Sequence, residues 1–272
     1  MMQYFRNLFV KTWAETEQLS LENNTFKKEK FADRKIIITL IYVALGLSIV
    51  RYFGSPDAFI PIFAGSKTGS FGSWFLNFFY SPHIGNFHAR IWWISSIVVF
   101  YMVVPVLIVK FGFKKNLRDY GISFRNVHKD YPLYLLMLGI MLPIVYIASN
   151  TVSFQQRYPI FQPEGELFPI FLWWQIAYFL QFVAVEFFFR GFLIHSLKHR
   201  FGFYSVFIST IPYCMVHFGK PFGETIAAII AGIALGTLSL KSRSIVLGIL
   251  IHYSVAITMD LFALYREGLL KF

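Results

Sequence analysis

The sequence predicts an all-α protein, a polytopic transmembrane helical bundle of about seven spans (six to eight), with its N-terminus in the cytoplasm. Hydrophobic residues make up 56% of the chain and charged residues only 14%, and the mean hydropathy is +0.56, which is outside the range of ordinary soluble domains. Apolar runs of about 18 residues recur along the chain, as transmembrane helices require. Basic residues gather in the short loops between these runs, a pattern typical of the cytoplasmic side.

The excess of 25 Lys and Arg over 14 Asp and Glu is explained by this topology. We therefore expect membrane lipids, and no nucleic acid, around the protein. The expected location is the bacterial cytoplasmic membrane, with the chain as an integral protein. The single cysteine, Cys214, excludes an intrachain disulfide framework.

Residues 1–35 predict a cytoplasmic amphipathic segment at the membrane surface. This segment is too polar to be a span or a signal peptide. Apolar side chains repeat every three or four positions, at Met2, Phe5, Phe9 and Trp13. Basic residues that keep this end in the cytoplasm follow at Lys27, Lys28, Lys30, Arg34 and Lys35.

Residues 36–166 predict the N-terminal transmembrane helices and their loops. The spans are expected at about 36–53, 91–109 and 133–150. Residues 57–90 have an apolar core too short to cross a bilayer and predict an interfacial or re-entrant piece. Pro105 is expected to kink the second span. The strongest basic cluster follows that span and comprises Lys110, Lys114, Lys115, Arg118, Arg125 and Lys129.

Residues 167–272 predict a helical core that carries the chemistry. Its spans are expected at about 168–189, 203–218, 225–240 and 245–264. The first of these is expected to continue as a helix through Lys198, His199 and Arg200 into the cytoplasm. Lys241 and Arg243 form a basic inner turn, so seven spans put every basic cluster on one side. Ala228, Gly232 and Gly236 repeat every four residues and predict close helix packing.

Glu186 and Arg190 are the only charged residues between Glu166 and Lys198, in the run Phe-Val-Ala-Val-Glu-Phe-Phe-Phe-Arg-Gly-Phe. A charge at membrane depth costs roughly 2.5 to 3.5 kcal/mol on insertion scales, so it persists only where it is paired, hydrated or chemically used. Four residues apart on a helix, the two side chains can pair. They predict either a functional site or a structural ion pair.

Polar groups are few in the last three spans, which makes their clustering informative. His217 follows Tyr213 by one helical turn, and His252 is followed two turns later by Asp260. Imidazole and carboxylate groups are ligands that zinc accepts, so Glu186, His217 and His252 could hold a zinc ion. Alternatively, Glu186 could activate water without metal while the histidines stabilise the oxyanion. These two mechanisms stay open at the level of sequence.

Four sequence blocks together resemble the signature of the CPBP intramembrane proteases, the group that contains the CAAX prenyl endoproteases. The blocks are Glu186 to Gly191, Tyr213 to His217, Gly232 to Gly236, and Ser244 to His252. The resemblance implies a transmembrane bundle around a polar cavity and hydrolysis of a peptide bond in a membrane-anchored peptide or protein. It also implies Glu186, His217 and His252 as catalytic residues. We expect Arg190 and Tyr213, which lie in the same blocks, and Asp260, which follows His252 on the same helix, to support them.

Two positions depart from the family pattern. The family usually has adjacent glutamates five and four residues before the arginine, and the first of these positions is Val185 here. The family usually has asparagine four residues after the last histidine, and that position is Ala256 here. Either Glu186 and Asp260 take over these roles, or the chain keeps the architecture without the reaction.

Three functions therefore remain open at this stage: an intramembrane endopeptidase, a catalytically inactive membrane-binding or immunity protein, and an ion-coupled transporter that uses Glu186 and Asp260. An ion pair with Arg190 would make Glu186 a poor base, which favours the second function. The predicted span boundaries also place Glu186, His217 and His252 over a depth of roughly 15 Å, at about 1.5 Å per residue.

Overall fold

The computed structural model describes residues 7–26, 32–60, 70–80, 85–124, 127, 130–161 and 168–270. Every regular element within these ranges is helical, which confirms the all-α prediction. The helices are α1 (Thr12–Phe26), α2 (Ala32–Phe53), α3 (Ser70–Tyr80), α4 (Asn86–Gly112), α5 (Tyr131–Ala148), α6 (Ile170–Phe201), α7 (Tyr204–Met215), α8 (Phe222–Ser242) and α9 (Val246–Arg266).

Among the described residues, six helices are long and apolar enough to cross a membrane: α2, α4, α5, α6, α8 and α9. This number lies within the predicted range of six to eight spans. The predicted span at 203–218 is present as α7, whose 12 residues reach only about 18 Å, short of a bilayer core of about 30 Å. The expected short piece between the first two spans is the 11-residue helix α3.

Helix α6 is the centre of the bundle. Of its most apolar 18-residue window, 67% is buried, compared with 39% or less in each of the other five spans. Its Phe187, Phe188, Phe189 and Phe192 side chains have no exposed surface and form the middle of the largest core cluster. As predicted, α6 continues through the basic residues at its end and stops at Phe201.

Helix α1 packs against the end of α6 and the start of α7. The Trp13 ring lies 4.9 Å from the Phe203 ring and 5.3 Å from the Tyr204 ring, between centroids. The partly buried Phe9 packs against the small cluster that includes Phe203. The other predicted positions of this pattern, Met2 and Phe5, and the basic residues Lys27, Lys28 and Lys30 lie outside the described residues.

Close packing holds α7 and α8 together, as the small-residue repeat predicts. A methyl group added at Gly232 would meet the Thr210 side chain at 2.8 Å, and one added at Gly236 would meet Val206 at 2.8 Å. In α4, the predicted kink at Pro105 takes a different form: the proline lies between two π-helical turns, Val99–Val103 and Ile108–Gly112. Such turns absorb a local interruption of the helical hydrogen bonds.

Candidate active site

Glu186 on α6 and His252 on α9 make direct contact in the interior of the bundle. The Glu186 Oε1 atom lies 2.8 Å from His252 Nδ1, and the Glu186 side chain has no exposed surface. With an ionised carboxylate as acceptor, Nδ1 carries the proton and donates it in the hydrogen bond. The spread in depth of roughly 15 Å predicted over the three residues, at about 1.5 Å per residue, therefore does not separate Glu186 from His252.

Arg190 completes a buried ion pair with the same carboxylate oxygen. Its Nη1 atom lies 3.2 Å from Glu186 Oε1, and only 2% of the Arg190 side chain is exposed. Glu186 is the last residue before a π-helical turn, Phe187–Leu193, which contains Arg190. Turns of this kind are frequent at functional sites because they re-aim side chains within a helix.

Tyr213 on α7 connects the ion pair with both histidines. Its ring lies 3.7 Å from the Arg190 guanidinium carbon, in a cation–π arrangement. Its hydroxyl lies 3.3 Å from His252 Nε2, the nitrogen left as acceptor when Nδ1 is protonated, so Tyr213 donates there. Its backbone carbonyl accepts a hydrogen bond from His217 Nδ1 at 2.8 Å, and the Tyr213 and His217 rings lie 4.7 Å apart.

Three buried polar atoms at the ion pair have no hydrogen-bond partner among the described residues. They are Glu186 Oε2, Arg190 Nη1 and Arg190 Nη2. Nη1 is close enough to Glu186 Oε1 for ion pairing but is not aligned for a hydrogen bond. An unsatisfied buried polar group costs about 1–3 kcal/mol, and more when it is charged, so such groups commonly bind water or substrate.

Gly248 on α9 makes room for the free carboxylate oxygen. A methyl group at this position would lie 2.8 Å from Glu186 Oε2. Contacts with carbon are normally no closer than about 3.5 Å, so any larger residue would push the carboxylate aside. Gly248 could not be recognised as a site residue from the sequence, because its role depends on the contact between α6 and α9.

Asp260 is not part of this network. Its Oδ1 atom accepts a hydrogen bond from the Ile160 backbone at 3.0 Å, and Oδ2 accepts from Gln175 Nε2 at 3.1 Å and Trp174 Nε1 at 3.4 Å. The carboxylate has no exposed surface. These contacts tie α9 to α6 and to the segment before α6.

The two positions that depart from the family pattern are both apolar and buried. Val185 packs in the same core cluster as Phe187, and Ala256 packs in the cluster that contains Phe182. The Phe182 ring in turn lies 4.5 Å from the His252 ring. Neither position supplies a polar group to the site.

The predicted zinc ligands do not converge on one point in this arrangement. Within the described residues, no group of three or more His, Cys, Asp or Glu side chains is placed to hold a metal ion. Both His252 nitrogens face hydrogen-bond partners, Glu186 and Tyr213, and the Nδ1 atom of His217 faces a carbonyl. Zinc binding stays a prediction from the sequence.

Among the five clustered side chains, His252 is the most exposed. Its side chain is 17% exposed, whereas Glu186 is fully buried and Arg190 nearly so. His217 and Tyr213 are also buried. The His252 side chain is therefore the most accessible of the five.

Comparison with known proteins identifies the region that contains this site. Residues 167–258 match the family model described as type II CAAX prenyl endopeptidase Rce1-like. This match confirms the resemblance to the CPBP proteases. No curated protein and no solved structure matches the chain. Six apolar helices and a match to a membrane protease family together indicate an integral membrane protein.

Proposed function

We propose that the protein is an intramembrane endopeptidase that hydrolyses a peptide bond of a membrane-anchored peptide or protein, as the Rce1-like family match implies. The observation that supports the proposal is that the two carboxylate oxygens of Glu186 have different surroundings. Oε1 is held by His252 and Arg190, while Oε2 is buried without a hydrogen-bond partner among the described residues. The ion pair with Arg190 weakens Glu186 as a base, but it occupies only Oε1 and leaves Oε2 available to accept a proton from water.

In the proposed reaction, Glu186 Oε2 takes a proton from water while the water oxygen bonds to the carbonyl carbon of the substrate. The carbonyl oxygen becomes negatively charged and is stabilised by the Arg190 guanidinium. The carbon–nitrogen bond then breaks, and the leaving amine takes the proton from Glu186. The products are a carboxylic acid and an amine.

The other members of the network would position these groups. His252 orients the Glu186 carboxylate through Nδ1–H, and Tyr213 in turn fixes the tautomer of His252. His217 keeps Nε2 as its acceptor nitrogen because Nδ1 donates to the Tyr213 carbonyl. We propose that this nitrogen binds a donor group of the substrate next to the scissile bond.

We place the protein in the bacterial cytoplasmic membrane, with the basic ends of the spans in the cytoplasm. The clusters after α4, at the end of α6 and at the end of α8 fit this orientation when α7 and residues 216–221 together lead the chain to the opposite side, from which α8 returns. A substrate anchored in the same bilayer would reach the site laterally, which raises its effective concentration.

Cleavage by a Glu186→Gln variant tests the proposal. The amide keeps the shape of the side chain but cannot take a proton from water, so we expect kcat/KM to fall at least about 100-fold, the lower end of general-base contributions. The measurement is cleavage of a prenylated CAAX peptide by the purified proteins in liposomes, with the thermal midpoint recorded for each variant.

Glu224→Gln serves as the matched control. Glu224 is a partly buried carboxylate of the same bundle, paired with Lys220 at 2.7 Å and hydrogen-bonded by Tyr158 at 2.7 and 2.8 Å, with no contact to the network. We expect this variant to keep its cleavage rate within about threefold, a barrier change of less than 1 kcal/mol. Undiminished cleavage by a folded Glu186→Gln protein would refute the role of Glu186.

A second function, a catalytically inactive membrane-binding or immunity protein, is favoured by the ion pair itself. Arg190 neutralises Glu186 in the described arrangement, and Val185 and Ala256 replace polar residues of the family pattern. In that case the wild-type protein would not cleave any membrane-anchored peptide. Glu186→Gln would then act only on stability, because it leaves a buried guanidinium without its partner.

A further inference from the structure

A cavity separate from the candidate active site lies among the helix ends that the sequence places in the cytoplasm. Its volume is about 600 Å³. Six of the described residues that line it are Lys or Arg, namely Lys35, Lys115, Arg118, Lys198, Lys241 and Arg243. They come from the start of α2, the segment after α4, and the ends of α6 and α8. Elements distant in sequence therefore direct positive charge into one concave space.

The cavity has a clear excess of positive charge. The carboxylates of the described lining are Glu15 and Asp119, and outside the lining Asp130 pairs with Lys241 at 2.7 Å. Cytoplasmic orientation alone requires basic residues on one side of the membrane, but it does not require them to converge on one cavity. Because like charges repel, the convergence is unfavourable unless an anion neutralises it.

Two of the lysines are held in defined positions. The Lys35 ammonium lies 5.5 Å from the Phe113 ring centre and 5.2 Å from the Tyr120 ring centre, within the range of cation–π contacts. Lys198 Nζ donates a hydrogen bond to His195 Nδ1 at 2.9 Å. The cations therefore form a shaped site and not merely a mobile charged surface.

Hydrogen bonds connect this cavity with the candidate active site. His195 Nε2 lies 3.1 Å from Ser239 Oγ, and Ser239 Oγ lies 3.2 Å from the Arg190 carbonyl. Ser239 donates to the carbonyl, so it accepts from His195, whose Nδ1 then accepts from Lys198. The backbone of Arg190 is thus two side chains away from a lysine of the cavity.

We propose that this cavity binds a phosphate-bearing anion, either the headgroup of an anionic phospholipid or a soluble polyphosphate. Its volume is in the range of about 300–1,000 Å³ that is usual for small-molecule sites. Phosphate oxygens accept short, charge-assisted hydrogen bonds from Lys and Arg. The proposed binding does not depend on peptidase activity.

Binding is tested on the full chain in nanodiscs by measuring the thermal midpoint. One arm adds sodium pyrophosphate to the protein in phosphatidylcholine nanodiscs, and the other compares phosphatidylcholine nanodiscs with nanodiscs that contain phosphatidylglycerol. We expect the midpoint to rise in at least one arm, because a ligand that binds only the folded protein stabilises it. A rise with pyrophosphate identifies a soluble anion, and a rise only with phosphatidylglycerol identifies a lipid headgroup.

Two double variants, at the end of α4 and in the segment after it, separate a specific site from general charge attraction. Lys115→Gln with Arg118→Gln removes two cations of the cavity at exposed positions where loss of folding is not expected. Lys110→Gln with Lys114→Gln removes two neighbouring exposed cations that do not line it. We expect the first pair to weaken the apparent affinity at least about tenfold, or 1.4 kcal/mol, and the second pair to leave it within about twofold.

Lys198→Gln is a further variant, which also breaks the contact with His195, and it should weaken binding in the same way. An unchanged midpoint of the wild-type protein in both arms would overturn the proposal. Equal loss of binding in the two double variants would overturn it as well, because the attraction would then be a property of the whole cytoplasmic face.

Discussion

The two oxygens of the Glu186 carboxylate have different surroundings, and this difference is the basis of the proposed chemistry. Oε1 faces His252 and Arg190, while Oε2 faces Gly248, which has no side chain to fill the space beside it. A base needs one oxygen that is held and one that is free. Glu186 therefore pairs with Arg190 and His252 through Oε1 and keeps Oε2 available as a proton acceptor.

Gly248→Ala tests the importance of the free oxygen. The new methyl group would lie 2.8 Å from Glu186 Oε2, so the carboxylate must move. A displacement of about 1 Å at a reacting group can cost about 100-fold in rate, so we expect kcat/KM for the membrane-anchored peptide to fall 10- to 100-fold.

Gly139→Ala is the control for this substitution. Gly139 also lies within a helix, and a methyl group there would meet nothing within 4 Å. We expect unchanged cleavage and a slightly raised thermal midpoint, because alanine is the better helix former by up to about 1 kcal/mol. Full activity of Gly248→Ala would show that the position of Oε2 is not important.

At the residue scale, the sequence was informative where charge is rare. Glu186, Arg190, Tyr213 and His252 could be selected because each is a polar residue in an apolar span, and the structure brings them together. Asp260 has the same sequence signal but a different environment. Its hydrogen-bond partners lie 85, 86 and 100 positions away in the chain, and spacing along one helix does not reveal such contacts.

Among the elements, the π-helical turn after Glu186 is the feature that the sequence did not predict. Spacing of four residues predicts pairing on an ordinary α-helix, and the pair does form, but within a wider turn whose phenylalanines are all buried. Hydrophobic periodicity cannot distinguish the two geometries in a run that is apolar on every face. The length of α7 could not be predicted either: the apolar sequence covers residues 203–218, but the helix covers only Tyr204–Met215.

The role of Asp260 as a connection between elements leads to a prediction on stability. In Asp260→Asn the amide group would leave at least one of the three donors without an acceptor, at about 1–3 kcal/mol for each unsatisfied group. We expect a lower thermal midpoint in detergent. Cleavage per folded molecule should stay within about threefold of wild type, since Asp260 is outside the network.

Asp57→Asn provides the comparison for Asp260→Asn. Asp57 is exposed and accepts a hydrogen bond from Ser55 at 2.6 Å. Its substitution should leave the midpoint nearly unchanged. A loss of cleavage in folded Asp260→Asn, with stability preserved, would instead return Asp260 to the catalytic group.

For the molecule as a whole, the predicted class and span count hold because they depend on composition and on the length of apolar runs. The arrangement of the helices could not be predicted, because it depends on side-chain packing between distant segments. Lys198, for example, is recognisable in the sequence as a basic residue at a helix end. Its convergence with Lys35 and Arg243 in one cavity depends on how three helices pack.

The orientation of the whole molecule can be tested by cysteine labelling. In a Cys214→Ser background, Lys114→Cys and Gln156→Cys place single thiols at exposed positions on opposite sides of the predicted membrane. We expect an impermeant maleimide to label Gln156→Cys in intact cells and Lys114→Cys only after permeabilisation, as the basic loops imply. The reverse pattern would show that the basic clusters face outward.

The proposed chemistry requires a water molecule that is hydrogen-bonded to Glu186 Oε2 and to the Arg190 guanidinium. An experimental density map of the wild-type protein, at a resolution that shows ordered solvent, tests this claim most directly. We predict a solvent peak within hydrogen-bond distance, about 2.6–3.2 Å, of both groups. A guanidinium that binds both carboxylate oxygens, with no solvent between them, would contradict the claim and leave only a structural ion pair.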